Sequence, residues 1–267
     1  MLSYLEFATL AQATIPSFQH QWLNPEQEQA VSSPLHPPLY IVAGPGAGKT
    51  TALVLRTLKF IFVDQVPPPA IIATTFTRKA AAELRSRILS WGYAILDQAI
   101  AQETDPARIQ WLHNIDINLI NTGTLDSLAE IFLADCRQPG EIIPATIEGF
   151  LAKSLMRKVG LFPQRRYQNA DLEALLRQLE PTHYLPFSMA EKSKNILTIA
   201  DRVRHDAIKT SAYAVQNAGH QVLGDVVSDY LQYLQQNHLT DFGGLEYLLL
   251  EKLQHINLGN IVGQLRA

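Results

Sequence analysis

Along the first half of the chain, short apolar runs alternate with stretches of helical period. Leu39-Tyr40-Ile41-Val42 is an apolar run with β-branched members and predicts a short buried strand. A helix follows, in which Leu53, Thr57, Phe60 and Ile61 fall on one face and Arg56 and Lys59 lie near the far end, where cations complement the helix dipole. Pro67-Pro68-Pro69 resets the chain, and Ala70 to Thr75 reads as a second buried strand. Strand, helix and strand with a connection of this length predict a parallel crossover and hence an α/β sheet. A third strand, Ile117 to Thr122, leads through Gly123 and Thr124 into a helix from Leu125 to Cys136.

Beyond Arg137 the pattern changes. Pro139, Gly140 and Pro144 break the chain, no further parallel strand is evident, and helical spacing dominates, as in Val222, Val226, Tyr230 and Leu234. This predicts a helical subdomain over about 137–237. At the other end, residues 3–14 read as a short helix carrying Leu5, Phe7, Ala8 and Ala11, and Asn24 is placed to cap a helix whose first residue is Pro25.

The candidate chemistry sits between the first strand and its helix, in Ala43-Gly44-Pro45-Gly46-Ala47-Gly48-Lys49-Thr50-Thr51. Three glycines within five positions permit a tight loop, and the helix opening at Lys49 aims unpaired amides and the positive end of its dipole at that loop. Such a loop suits a polyphosphate, with Lys49 as a cation for the β and γ phosphates and the Thr50 hydroxyl as a ligand to Mg²⁺. The strict pattern for such loops has glycine where this chain has Ala43, and a plain glycine-rich turn is the alternative. Gln27 offers a donor and an acceptor, the pair that an adenine edge requires, or is an ordinary exposed helix residue.

After the second strand, Thr75-Phe76-Thr77-Arg78-Lys79 opens a helix capped by Thr77. Loops at the carboxyl ends of parallel strands bind ligands, so Phe76 could stack on a base while Arg78 and Lys79 meet phosphates. The alternative is a solvated basic helix with Phe76 in the core. A second basic stretch, Lys153, Arg157, Lys158, Arg165 and Arg166, is interleaved with Phe162 and Tyr167 and reads either as a single-strand surface or as a solvated face.

Composition narrows the setting. At 267 residues and 47% hydrophobic content the chain supports a real core, and its one cysteine, Cys136, excludes an internal disulfide and suits a reducing cytoplasm. No apolar run reaches bilayer length, and the N-terminus lacks a basic region before a hydrophobic segment, so a soluble, unexported, cytoplasmic protein is expected. With 22 basic against 25 acidic residues and a formal charge of -3, any DNA site must be local.

Taken together, these stretches resemble the N-terminal part of the UvrD/Rep group of superfamily 1 DNA helicases. Leu23 to Val31 resembles that family's Q motif, in which the glutamine, here Gln27, reads adenine. Ala43 to Thr50 is similar to motif I, where alanine at the first position is normal. Thr75 to Leu84 resembles motif Ia, a single-strand DNA contact, with Arg78 where asparagine is usual. Thr122 to Leu128 resembles motif Ib, with Asp126 replacing a histidine; an anion there repels phosphate, so no DNA contact is carried over to it. Thr240 to Leu245 looks like the segment where the chain re-enters the first RecA-like domain. The resemblance spans about 23–250.

It implies an α/β P-loop NTPase (RecA-like) parallel sheet, incomplete, with an inserted all-helical subdomain. The expected layout is 1–136 for the N-terminal part of the ATP-binding domain, 137–237 for the insertion and 238–267 for a truncated return segment. It implies ATP and Mg²⁺ as cofactors, single-stranded DNA as partner, and a role in an ATP-dependent 3′-to-5′ DNA helicase. The family's next motif, an Asp-Glu pair that holds Mg²⁺ and activates water, has no counterpart here, so the polypeptide alone is expected not to turn ATP over. The alternative is a stand-alone, non-catalytic nucleotide- or DNA-binding module.

Overall fold

The computed structural model describes residues 1–180, 186–206, 208 and 217–255. It divides into two compact units, one running from Met1 to Leu128 and one beginning at Ala129. Of the return segment expected over 238–267, the part from 256 onward lies outside the described residues.

In the first unit, local capping chemistry sets where helices begin. α1 (Tyr4–Thr14) starts at a capping box: the Ser3 hydroxyl accepts from the Glu6 amide at 3.2 Å and the Glu6 carboxylate accepts from the Ser3 amide at 2.6 Å. The Ser3 amide, then the Ser3 hydroxyl and Arg108, hydrogen-bond the Glu6 carboxylate and hold its pKa down at about 2. α2 (Pro25–Ser32) repeats the device with Asn24 and Gln27. α3 (Lys49–Phe62) follows the glycine loop directly, α4 (Arg78–Gln102) is capped by Thr77, and α5 (Pro106–His113) by Asp105.

The core of this unit joins Phe7 of α1, Leu55, Leu58 and Phe62 of α3, Ile88 and Ile95 of α4, and Ile117. Gly92, in the middle of α4, allows a close approach. A β-carbon there would lie 2.7 Å from Ile117 Cδ1 and 2.9 Å from Leu58 Cδ2. Helix propensity disfavours glycine at such a position, and packing overrides it.

The sheet is smaller than the apolar runs predict. β1 (Ile72–Thr74) pairs in parallel with β2 (Asn121–Gly123), with Ile72 opposite Asn121 and Thr74 opposite Gly123. Only Ala73 of β1 is buried, so the second strand is not the fully buried one expected, and Pro68–Ala70 before it forms a 3₁₀ turn. The start of the third run is likewise a 3₁₀ turn, Ile117–Leu119, because the Asp116 carboxylate accepts from the Asn118 amide at 3.0 Å.

Leu39 to Val42, expected as a buried strand, forms none. No ladder among the described residues includes it, and Tyr40 and Val42 are 89% and 83% exposed. A strand exists through hydrogen bonds to a neighbour, and the run has apolar side chains but, among the described residues, no neighbour to pair with.

α6 (Leu125–Asp135) leads out of the first unit. The second unit is dominated by α7 (Gly149–Leu155), which continues into a π-helical turn over Met156–Leu161, followed by α8 (Ala170–Leu179), α9 (Met189–His205), α10 (Ala218–Gln236) and α11 (Phe242–His255). Val226, Tyr230 and Leu234 of α10 line its core with Met156, Leu161, Leu172, Leu176 and Ile196. The region is not purely helical, however: β3 (Ala145–Thr146) pairs in parallel with β4 (Leu239–Thr240), strands too short to leave a periodic signal.

A buried ion pair fixes the start of α11. Arg204 donates to Asp241 Oδ1 at 2.5 Å and Oδ2 at 3.0 Å, the Tyr230 hydroxyl donates to Asp241 Oδ2 at 2.8 Å, and the Gly244 amide donates to Oδ1 at 2.9 Å. Among the described residues no helix is long and apolar enough to cross a membrane.

Candidate nucleotide and nucleic-acid site

The glycine loop is shaped by backbone angles that only glycine adopts without strain. Gly46 and Gly48 both have φ of 77°, and Gly48 serves as the left-handed residue immediately before α3. Gly48, the N-cap, has no side chain with which to cap α3, which leaves the first-turn amides directed at the loop. At Gly44 and Gly46 the space that a β-carbon would fill is open: among the described residues, chain neighbours aside, no atom lies within 4 Å. Lys49 bends back over this loop, its Nζ donating to the carbonyls of Ala43 at 2.9 Å and Gly44 at 2.6 Å. Thr50 is exposed beside it and Thr51 partly so.

Gln27 is brought to the same place by α2. Its Nε2 donates to the Ala47 carbonyl at 3.0 Å, and its Oε1 accepts from the Asn24 amide at 3.3 Å. A β-carbon at Gly48 would sit 2.5 Å from that Nε2. One N–H and one lone pair of the carboxamide stay uncommitted by these two bonds.

The sequence pattern assigns Arg56 and Lys59 to the end of α3 as dipole partners; Lys59 does lie in the last turn, but the structure gives both side chains further work. Both are buried. Arg56 Nη1 donates to the carbonyls of Ala30 at 2.6 Å and Ser33 at 2.9 Å, and Nη2 donates to Pro34 at 2.9 Å. Burial lowers its pKa, partly opposed by the charge of Asp64. Lys59 pairs with Asp64 at 2.7 Å and also reaches the Ser33 carbonyl at 3.3 Å. A signal is present in the sequence: Ala52, Val54, Leu55, Leu58, Ile61 and Phe62 leave α3 almost no polar face from its second turn on, so a cation within that stretch has to be buried and bonded.

The second group of candidates lies at the carboxyl ends of the two paired strands. The Thr75 amide donates to the Gly123 carbonyl at 3.1 Å, which sets the loop after β1 beside the loop after β2. Thr77 caps α4 by accepting from the Ala80 amide at 3.1 Å. Phe76 is fully exposed, so it is not a core residue, and Arg78 and Lys79 are exposed in the first turn of α4. Cations at a helix N-terminus oppose the dipole, and an exposed ring beside them gains nothing from burial. Both costs are offset when a polyanion with stacking bases lies there. Arg85, to which the sequence pattern assigns no role, fastens β2 through the carbonyls of Asn118 and Ile120 and the Thr122 hydroxyl at 3.1–3.2 Å.

In the second basic stretch, Arg166 is committed to Asp229 at 2.6 Å and Arg157 to the Ser193 hydroxyl at 3.2 Å, while Phe162 and Tyr167 pack edge to face. Among the described residues no three His, Cys, Asp or Glu side chains converge as a metal site.

Comparison with known proteins gives the lineage. The model of the UvrD/REP helicase N-terminal domain matches residues 23–265. The ATP-dependent DNA helicase PcrA of Leuconostoc citreum is 26% identical over 235 residues, 87% of this chain and 26% of that protein. The ATP-dependent DNA helicase UvrD1 of Mycobacterium leprae is 52% identical over 68 residues, 25% of this chain and 8% of that protein. DNA helicase II of Escherichia coli K12 is 47% identical over 66 residues, 25% of this chain and 9% of that protein. The chain thus spans about a quarter or less of the length of these curated relatives. With almost its whole length matched, the chain belongs to the UvrD/REP helicase N-terminal domain family.

Proposed function

We propose that this chain is the ATP-holding N-terminal portion of a cytoplasmic, ATP-dependent 3′-to-5′ DNA helicase. On this reading residues 1–136 are the first part of a P-loop (RecA-like) domain with an incomplete parallel sheet, 137–237 an inserted helical subdomain, and 238–267 the return segment. The observation that carries it is the loop geometry: Lys49 Nζ rests on the Ala43 and Gly44 carbonyls above an open, glycine-lined bend at the uncapped start of α3. An anion entering that bend meets the helix amides and exchanges two neutral acceptors of Lys49 for charged ones.

Each residue then has a role. The backbone from Gly44 to Thr51 cradles the phosphates, Lys49 neutralises the β and γ groups, and the Thr50 hydroxyl ligates Mg²⁺. When bound, that ion neutralises phosphate charge. Gln27 presents its remaining N–H and lone pair to adenine. Thr75, Phe76, Thr77, Arg78 and Lys79 hold single-stranded DNA by stacking and phosphate contact. Residues 1–267 contain no adjacent Asp-Glu pair, so this polypeptide holds nucleotide without turning it over at an enzyme's rate.

The test is titration of a fluorescent ATP analogue with Mg²⁺ into the wild type and Lys49→Ala. The expected result is saturable binding weakened about tenfold or more by the loss of a charge-assisted hydrogen bond of about 1.5–3 kcal/mol. Equal affinities would remove the assignment.

A further inference from the structure

We propose that Arg56 is the positioning residue for base selection: by gripping the carboxyl end of α2 it sets Gln27 against the nucleotide loop, without itself touching nucleotide. The inference rests on the reading of Gln27 as the adenine contact. Gln27 is the third residue of α2, and Ala30, one turn further on, supplies the first of the three carbonyls that Arg56 holds. The other two, Ser33 and Pro34, lie just past the helix end, where backbone acceptors lack intrahelical donors and the dipole is negative.

α2 is thereby tied at both ends to the α3 segment. At its start the Gln27 side-chain amide bonds the Ala47 carbonyl in the loop that opens α3, and at its end the guanidinium of Arg56, from the middle of α3, spans three carbonyls. The guanidinium also lies 4.8 Å from the centre of the Phe60 ring, which supports its plane. Arg56 is 9% exposed, too deep for contact with a ligand in the open loop. Its hydrogen bonds described here all go to carbonyls, so it acts as a helix-end cap supplied by another helix rather than as half of an ion pair.

A planar fork is needed for this. Two terminal nitrogens fan across acceptors separated along the chain, whereas the single ammonium of a lysine is a point donor on a different stem. Arg56→Lys therefore keeps the charge and loses the grip. Loosening the end of α2 lets Gln27 move relative to Gly48 while the loop amides, Lys49 and Thr50 stay in place on α3.

The experiment measures affinities of Mg²⁺ complexes of ATP, GTP and inorganic tripolyphosphate for the wild type, Arg56→Lys, Arg56→Gln, Gln27→Ala and the Arg56→Lys/Gln27→Ala double variant, with circular dichroism on each. Both Arg56 variants are expected to lower the ATP-to-GTP preference about 2- to 10-fold, the range set by one hydrogen bond, and to leave tripolyphosphate binding within about twofold of wild type. The double variant is expected to match Gln27→Ala. An unchanged preference in Arg56→Lys while Gln27→Ala lowers it overturns the proposal. Parallel loss of all three ligands also overturns it, and makes Arg56 a support of the loop as a whole. If Gln27→Ala itself leaves the preference unchanged, the underlying adenine reading fails, and the proposal with it. Should Arg56→Gln not fold, Arg56→Lys alone carries the comparison.

Discussion

The carboxamide of Gln27 lies against Gly48 so closely that a methyl group on Gly48 would stand 2.5 Å from Gln27 Nε2. Gly48 is also held at φ of 77°, so two demands converge on one position. The amide can swing away at little cost, but the left-handed backbone cannot accept a β-carbon freely. Gly48→Ala is expected to lower stability by about 1–2 kcal/mol through backbone strain and to break the Gln27–Ala47 hydrogen bond. Chemical denaturation of both proteins measures the first, and a lowered ATP-to-GTP preference reports the second.

The second unit depends on a different pair. Burial pushes the Asp241 carboxyl up, but the hydrogen bond and charge of Arg204, with Tyr230 and the Gly244 amide, outweigh it and hold the pKa below its ordinary value. A folded pKa below the unfolded one contributes stability that is present above the unfolded pKa, about 3.9, and is lost as pH falls through the folded value. Asp201 has the opposite sign, since burial, with Asp241 adding to it, raises its pKa against the pull of Arg204. Asp241→Asn takes from buried Arg204 the deeper of its two carboxylates and leaves it Asp201 at 2.5 Å, so the expected cost at neutral pH is about 3 kcal/mol, the low end of the range for a broken buried pair. Asp201→Asn is expected to cost much less. Denaturation at neutral pH and again below pH 4 checks both, and the gap between wild type and Asp241→Asn should narrow in acid.

How much of this is legible in the sequence depends on how local the cause is. The caps at Ser3, Asn24 and Thr77 act within three residues, and the helices they open stand where the pattern puts them. The run Leu39 to Val42 looks like a strand because it is apolar and β-branched, yet pairing is a property of two segments, and the described residues give it none. Arg56 and Lys59 read as partners of the helix dipole because that is the default for a cation near a helix end. Only the carbonyls of Ala30, Ser33 and Pro34, brought in by another helix, reveal their job. Gly92 is silent in the sequence for the same reason, its meaning lying in Ile117 and Leu58.

The loop after β1 yields a prediction for nucleic acid. If Phe76 stacks on a base, Phe76→Ala is expected to weaken binding of a single-stranded oligonucleotide by about 1–3 kcal/mol. Arg78→Ala or Lys79→Ala is expected to lower the slope of log affinity against log salt by about 0.7 for each phosphate that is no longer neutralised. Fluorescence anisotropy at several salt concentrations measures all three. Unchanged affinity in Phe76→Ala, or no binding at low salt, counts against this face as a DNA contact.

The central claim is that the bend from Gly44 to Thr51 receives the phosphates of ATP. Amide chemical shifts of the isotope-labelled polypeptide, recorded with and without Mg²⁺ and a non-hydrolysable ATP analogue, report on that bend residue by residue. The expected result is that the largest changes fall on the amides of Gly46, Gly48, Lys49 and Thr50, with the Gln27 side-chain amide shifting as well, and that Lys49→Ala greatly reduces them. Saturating ligand that leaves those amides unmoved, or moves a different set, would contradict the claim.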